Sequence, residues 1–256
     1  MKLSILMPVR NEGINLKIML KILRAVLEID HEVLVVCDSE TDDSIPVVHA
    51  MQDEYPNLRL IINRYGRGVT NAIRAGVDAA EGDNILIFAA DEVGPVLAIE
   101  DMLALMAEGA DFVSCTRYAY GGRRLGGSVI GQILSRIANR LFHAISGCVL
   151  TDATTGIKMM KRPVYYQLHL CARPVGWAVA FEMSMKAQAG GFRLGEVPII
   201  SVDRLYGGKS TFRVGAWSKE YLRWFWWGIR ELRRHARPNV AVRRGPEVPL
   251  AAQVKR

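Results

Sequence analysis

The sequence predicts an α/β fold: one domain on a mainly parallel central sheet with helices on both faces, followed by an amphipathic aromatic and basic helix. Three observations predict it. Short apolar runs alternate with helix-period segments from Leu3 to Asp91, as βαβ units require. Each run ends in a polar or charged loop, and parallel sheets bind ligands at those strand ends. A chain of 256 residues suffices for one full core and is short for two.

The elements follow in order. "LSILMPV" (Leu3 to Val9) is a strand closed by Pro8, and Asn11 is expected to cap the helix begun by "EGINLKIMLKILRAVLEI". "EVLVVCD" is the second strand, and Asp42 and Asp43 are expected to cap the helix through "IPVVHAMQDEY". "LRLIIN" (Leu58 to Asn63) leads through a Gly-rich loop into the helix "VTNAIRAGVDAAEG", and "NILIFAAD" runs into Asp91 and Glu92. The second half is less regular. It offers a strand "DFVSCTRY", a loop "GGRRLGG", an amphipathic helix "VIGQILSRIANRLFHAIS", the segment "TDATTGIKMMKR", a helix around "FEMSMKAQAGG" and a strand "RLGEVPIISVD". From Pro238 the tail has no sustained period and several prolines and charges, and reads as disordered. The expected division is a domain over 1–212, a helix over 213–237 and a tail over 238–256.

Charge and composition bound the setting. From Lys219 to Arg256 there are ten Lys and Arg against three Glu, a net of +7, which equals the charge of the whole chain, so the rest sums to zero. No stretch reaches the roughly 18 apolar residues of a membrane span, and the amino end is too polar for a signal peptide, so the expected location is the cytosol. Four scattered cysteines (Cys37, Cys115, Cys148, Cys171) are expected to be reduced and mostly buried.

Three of the loops, in order at strand ends, resemble the family-2 glycosyltransferases: "MPVRNE" is similar to P-x-Y-N-E, "VCDSETDDS" to V-D-D-x-S-x-D-x-T, and "AADEVGP" to the D-x-D loop. "SCTRYAYGG", "SRIAN", "TDATTGIKMMKR" and "VDRLYGGKS" resemble segments of the dolichyl-phosphate mannose synthases and related polyprenyl-phosphate glycosyltransferases. The resemblance covers about Leu3 to Thr211. It implies a single GT-A-type nucleotide-binding domain, a GDP- or UDP-linked sugar donor, a divalent cation (Mg2+ or Mn2+) and inversion at the anomeric carbon. It places Pro8, Glu12 and Asp38 at the base and ribose and Asp91 at the metal. The chain departs from the pattern at Arg10, Cys37 and Ala89; an Arg at position 10 can stack on a base or reach its acceptor edge.

Chemistry constrains these positions independently. A carboxylate at a strand end can accept both ribose hydroxyls, so Glu12 or Asp38 fits that task, although Glu12 also suits the first turn of a helix. Leaving-group departure puts negative charge on the diphosphate, and magnesium needs only one or two protein carboxylates beside phosphate oxygens. Asp91 can suffice, with Glu92 as a helper; alternatively both acids start a helix at Pro95. An alcohol acceptor needs a general base, for which Asp152 or Glu182 is the candidate. A lipid phosphate, already ionised, needs cations instead. Arg117, Arg204 and Lys209 are the expected phosphate-binding groups, with Arg136 on the amphipathic helix and Arg123 and Arg124 in the glycine loop, and Asp152 can then brace an arginine.

"WSKEYLRWFWWGIRELRRHAR" (Trp217 to Arg237) holds four of the five tryptophans. Leu222, Phe225, Trp226, Ile229 and Leu232 share one helical face, opposite Arg223, Arg230 and Arg234, which is the composition of an interfacial helix. The earlier amphipathic helix repeats it, with Ile130, Ile133, Ile137 and Leu141 against Arg136, Arg140 and His143. The expected partner is a membrane surface met through 217–237, peripherally at the cytosolic face. Packing on the sheet or a dimer interface is the alternative; nucleic acid is disfavoured because the body is neutral. The expected activity is hexose transfer from a nucleotide-diphosphate sugar to a polyprenyl phosphate. Transfer to a soluble or glycan hydroxyl, and sugar-nucleotide binding without turnover, are the alternatives.

Overall fold

The computed structural model describes residues 2–125, 129–202, 214–234 and 237–243. Its first half is a run of βαβ units: β1 (Leu3–Val9), α1 (Gly13–Val26), β2 (His31–Cys37), α2 (Ser44–Gln52), β3 (Leu58–Ile62), α3 (Val69–Ala79) and β4 (Asn84–Ile87). A short 3-10 turn (Gly94–Ala98) leads into α4 (Ile99–Ala107), β5 (Phe112–Thr116) and β6 (Arg123–Leu125). Then come α5 (Val129–Ser146), β7 (Lys158–Lys161), α6 (Arg162–Gln167), α7 (Ala178–Ala189), β8 (Leu194–Pro198), β9 (Ile200–Val202), α8 (Val214–Leu232) and β10 (Val240–Val242).

Eight strands form one sheet in the order β10-β8-β5-β7-β4-β1-β2-β3. All neighbours are parallel except β7, which runs antiparallel to both β4 and β5. The chain builds outward from β1 to β3 and then crosses to β4 on the other side, so the strand order reverses between β1 and β4. That crevice is where open α/β sheets bind ligands. The apolar residues of β1 divide between the faces: Leu3, Ile5 and Met7 join a core with α1, α2 and α4, whereas Leu6 joins a core with α3, α6, α7 and α8.

Several expectations change. Asn11 does not cap α1: the residue before the helix is Glu12, without a side-chain cap. Asn11 takes a left-handed backbone (φ 54) and gives its N–H to the Asp42 carboxylate. Gly13 N–H donates to Asp43 Oδ1 (2.9 Å) and Glu12 N–H to Ser44 Oγ (3.2 Å), so the neighbouring loop supplies the cap. Asp42 does satisfy its own helix, accepting from Ser44 N–H at 2.9 Å. The strand expected over "RLGEVPIISVD" divides at Ile199, with β9 leaving to pair β6 in a separate two-stranded ribbon, so "GGRRLGG" is partly strand. Cys171 is exposed; the other three cysteines are buried.

The carboxyl end differs most. The tail read as disordered contains β10, which pairs parallel with β8 from Val240↔Leu194 to Val242↔Glu196; residues 244–256 lie outside the described residues. α8 is not a detached element. Trp224 and Leu232 are buried, and Tyr221, Phe225, Trp227 and Ile229 are partly buried against the same core. Gly228 permits this close approach, because a Cβ there would run into Met185 Sδ and the Phe142 ring. The Trp224 indole N–H donates to Glu220 (3.0 Å), which lets the ring be buried. Trp227 packs edge-on against Trp224 at 5.6 Å. Of the expected apolar face only Leu222 and Trp226 remain exposed.

Candidate functional site

One half of the candidate site, where the sequence placed the donor, is a set of stitched loops at the carboxyl ends of β1 to β4. Pro8 is on β1, Arg10 is exposed beyond it, and Glu12 lies at the start of α1, where its Oε2 accepts from Asn15 Nδ2 at 2.6 Å. Asp38 follows β2. Its Oδ1 accepts from Asn63 Nδ2 (2.7 Å) and its Oδ2 from Gly68 N–H (2.8 Å), so the β3–α3 loop fixes its rotamer. Gly68 holds φ 118, and a Cβ there would meet Pro174 at 2.6 Å, so only glycine lets the loop after α6 close against this turn. Asn63 is the residue sequence reasoning missed. It is buried, gives Nδ2 to Gly66 O as well (2.7 Å), and takes Tyr65 N–H at 2.9 Å. Its signal was a polar residue ending an apolar strand, as with Asp38 and Asp91.

After β4 the chain passes through Ala89 and Ala90 to Asp91, which is partly exposed. Glu92, expected to help hold a metal, accepts a short hydrogen bond on one oxygen from Ser201 Oγ of β9. Among the described residues no three His, Cys, Asp or Glu side chains converge as a metal-holding group. The donor set fits a hard cation that brings phosphate oxygens as its other ligands, with Asp91 as the protein carboxylate.

The other half of the site is built around Arg117, just past β5. Its Nε donates to Asp152 Oδ2 (2.6 Å) and its Nη2 to Asp152 Oδ1 (3.0 Å), a two-point fork. Asp152 is completely buried and also accepts from the Thr154 N–H and hydroxyl. Desolvation raises its proton affinity, but the charge and hydrogen bonds of Arg117 prevail and hold the carboxyl below its ordinary value. Asp152 is therefore an ionised brace with both oxygens engaged, not an accessible base. Glu182, the other candidate base, is buried too, accepting N–H groups of Cys171 and Ala172 at 2.7 Å each and pairing with Lys186.

A cavity of about 410 Å³ opens beside this fork, lined by Arg117, Arg123, Arg124, Arg136, Leu125 and Ile133, among others. α5 is tied to it from behind: Tyr118 hydroxyl donates to Ser135 Oγ (2.7 Å), and Asn139 Nδ2 to Thr154 Oγ1 (3.1 Å). This turns Asn139 and Phe142 inward and leaves Ile133, Ile137 and Leu141 exposed, each more than half. The apolar stripe of α5 thus faces out, starting at the cavity wall. Arg204 and Lys209 lie outside the described residues, as does the side chain of Ile130.

Comparisons with known proteins agree with this architecture. The chain is 24% identical over 231 residues to a dolichol-phosphate mannosyltransferase of Pyrococcus furiosus, covering 87% of this chain and 62% of the relative. It is 23% identical over 203 residues to the dolichol-phosphate mannosyltransferase of Mycosarcoma maydis, covering 76% and 68%. An undecaprenyl-phosphate 4-deoxy-4-formamido-L-arabinose transferase of Enterobacter sp. is 27% identical over 168 residues, covering 64% and 50%. The chain therefore spans between half and about two thirds of the curated relatives it matches. Its fold is similar to glucosyl-3-phosphoglycerate synthase of Mycobacterium tuberculosis, solved with Mn2+, UDP and glucosyl-3-phosphoglycerate, at a TM-score of 0.67 and 17% identity over 89% of this chain and 80% of that one. The same synthase with Mg2+ and UDP gives a TM-score of 0.67, covering 89% and 79%. This likeness shows the GT-A-type sheet. Residues 4–168, more than half of the sequence, match the model of glycosyl transferase family 2, and the chain belongs to that family.

Proposed function

We propose that the protein is an inverting glycosyltransferase that moves a hexose from a nucleotide-diphosphate sugar to a polyprenyl phosphate at the cytosolic face of a membrane. The observation that carries this reading is the buried Arg117–Asp152 fork at a four-arginine cavity, with an exposed apolar stripe leading away from it. An ionised phosphate acceptor needs cations and no base, and both candidate bases are buried and engaged.

In this reading Asp38 and Glu12 grip base and ribose, Arg10 approaches the base edge, and Asp91 holds the divalent cation. The cation, when bound, supplies Lewis-acid neutralisation of the charge that builds on the departing diphosphate. Arg117 and Arg136, with Arg204 and Lys209 from the undescribed segment, orient the acceptor phosphate. One of its oxygens forms the new bond to the anomeric carbon from the face opposite the diphosphate. The carbon–oxygen bond to the diphosphate breaks, its electrons leave with the nucleoside diphosphate, and no proton is removed from the acceptor. The isoprenoid tail runs along Ile133, Ile137 and Leu141. Leu222 and Trp226 on α8, which packs against α5, widen this lipid-facing surface, and arginines flank it. No helix of the described residues is long and apolar enough to cross a membrane; in this reading the surface of α5 and α8 makes a peripheral contact.

The test is incubation with radiolabelled GDP- and UDP-sugars, magnesium or manganese, and a short polyprenyl phosphate. Label in the organic phase is expected. Label only in a water-soluble product would replace the acceptor with a soluble hydroxyl compound, and binding without transfer would reduce the protein to a sugar-nucleotide binder.

A further inference from the structure

Beneath the Arg117–Asp152 fork lies a row of polar side chains that the transfer chemistry does not use. Lys158 on β7, Ser114 on β5 and Glu196 on β8 occupy matched register positions on three neighbouring strands, and all three are completely buried. Phe112, Met160 and Leu194, two residues away along the same strands, belong to the apolar core of that face. Lys158 Nζ donates to Ser114 Oγ (3.0 Å) and Ser184 Oγ (2.7 Å). Glu196 Oε1 accepts the N–H groups of Thr151 (2.8 Å) and Asp152 (3.2 Å), and Oε2 accepts the Thr151 hydroxyl (3.0 Å). Thr151 Oγ1 shares a hydrogen bond with Thr116 Oγ1 (2.7 Å), which accepts from Tyr118 N–H at 3.2 Å. One carboxylate thus clamps both the turn that carries Asp152 and, through two hydroxyls, the end of β5 from which Arg117 departs.

We propose that Glu196 is a positioning residue for acceptor binding: through Thr151 and Asp152 it fixes where Arg117 aims and how much positive charge the fork presents to an anionic acceptor. This rests on the reading of the arginine cavity as the acceptor site.

Charge gives the proposal a distinct signature. Burial pushes Glu196 up to about 7, against the hydrogen bonds from Thr151 and Asp152 that favour its ionised form. Burial brings Lys158 down to about 8, opposed by Asp152, Cys115 and Glu196. The groups facing Glu196 are Asp152 and Cys148 from the segment before β7, Lys158 from β7 and Cys115 from β5. α7 turns Ser184 to Lys158 and sends Glu182 and Lys186 to the loop after α6. Arg243, next to β10, gives its backbone N–H to the Glu196 carbonyl and its side chain to Glu108. Arg117, Lys158, Asp152 and Glu196 therefore sum to +1 below neutral pH, to zero just above it, and toward −1 once Lys158 loses its proton past about 8, whereas without the Glu196 charge the sum at that upper pH is zero.

Glu196→Gln keeps an oxygen for the two N–H groups, offers the Thr151 hydroxyl oxygen a donor in place of an acceptor, and removes the charge. The experiment measures binding of a short polyprenyl phosphate to wild type and variant by titration calorimetry at about pH 6 and about pH 8.5. The ligand's own second ionisation is common to both proteins and cancels in the ratio of their affinities. Equal affinities are expected at the lower pH, and roughly three- to tenfold tighter binding by the variant at the higher pH, with nucleotide-sugar affinity unchanged at both. Glu196→Ala, which removes the clamp, is expected to raise acceptor KM at both pH values and leave donor KM unchanged. The same titrations with inorganic phosphate separate the two ideas. A pH-dependent ratio with inorganic phosphate, but no preference for the polyprenyl phosphate, would overturn the acceptor reading and retain the role of Glu196. A flat ratio with both probes, or an equal shift in donor affinity, would overturn the role of Glu196; no binding of either probe would overturn both.

Discussion

Asp152→Asn separates the two ways an acid near an acceptor can act. Asp152 is wholly buried, and both its oxygens are shared between Arg117 and Thr154. An asparagine has the same shape but turns an NH2 toward one side of the fork, where it meets an arginine N–H, and it removes the charge that compensates a guanidinium with little solvent exposure. Breaking one partner of a buried pair costs about 3–5 kcal/mol. At roughly 2–4 °C per kcal/mol for a chain of this size, Tm should fall by about 6–20 °C. Arg117 then loses its aim, and a lost charge-assisted hydrogen bond to the acceptor phosphate lowers acceptor kcat/KM by roughly 10- to 100-fold. Donor affinity should stay within about twofold, because Asp38, Gly68 and Asn63 form a separate network. Thermal melts beside steady-state transfer to a short polyprenyl phosphate provide the readout. A variant that melts with wild type, keeps acceptor KM and loses kcat alone would refute the bracing argument and make Asp152 a base.

Asp91→Ala should abolish the metal-dependent part of nucleotide-sugar binding, whereas Ala89→Asp should strengthen metal binding without being needed for transfer; intact transfer in Asp91→Ala would leave this loop only a strand end. Stability should carry opposite signatures of the two buried groups in urea titrations. Glu196, held at about 7 against 4.5 for an unperturbed Glu, binds a proton in the fold that the unfolded chain has released, so wild-type stability falls with pH across that window by up to about 3 kcal/mol; Glu196→Gln removes the decline. Lys158, held at about 8 against 10.5, penalises the fold while charged, so Lys158→Met should exceed wild type below pH 8 and lose its advantage toward 10.5. Ile137→Glu with Trp226→Glu should weaken co-sedimentation with anionic vesicles about tenfold or more and spare nucleotide-sugar binding; unchanged sedimentation would remove the lipid surface from α5 and α8.

Much of the first half was legible because each signal was local. β1 to β4 are short apolar runs ending in polar residues, and the amphipathic period of α1 and α3 holds in the structure. The second half depends on contacts distant in sequence. α7 is buried at ten of its twelve positions, so it has no polar face to generate a period. β7 carries a lysine at each end, which looks like surface until the register puts Lys158 between Ile87 and Ser114. The burial of α8 was hidden in the sequence because it depends on distant partners, Met185 and Phe142, which Gly228 lets approach. In the site, the carboxylates and arginines were visible by type and position; that Asp152 braces Arg117, that Ser201 bonds one oxygen of Glu92, and that Asn63 locks Asp38, required partners 25 to 109 residues away.

Because β10 re-enters the main sheet after α8, the aromatic helix is spliced into the body at its carboxyl end and cannot swing out like a mooring line. Any encounter with a bilayer is then a landing of the whole molecule on one flank. On the proposed function, the height and tilt of the arginine cavity above the lipid would be set by the fold itself, and the reach of the headgroup into the site would be a property of the body's geometry.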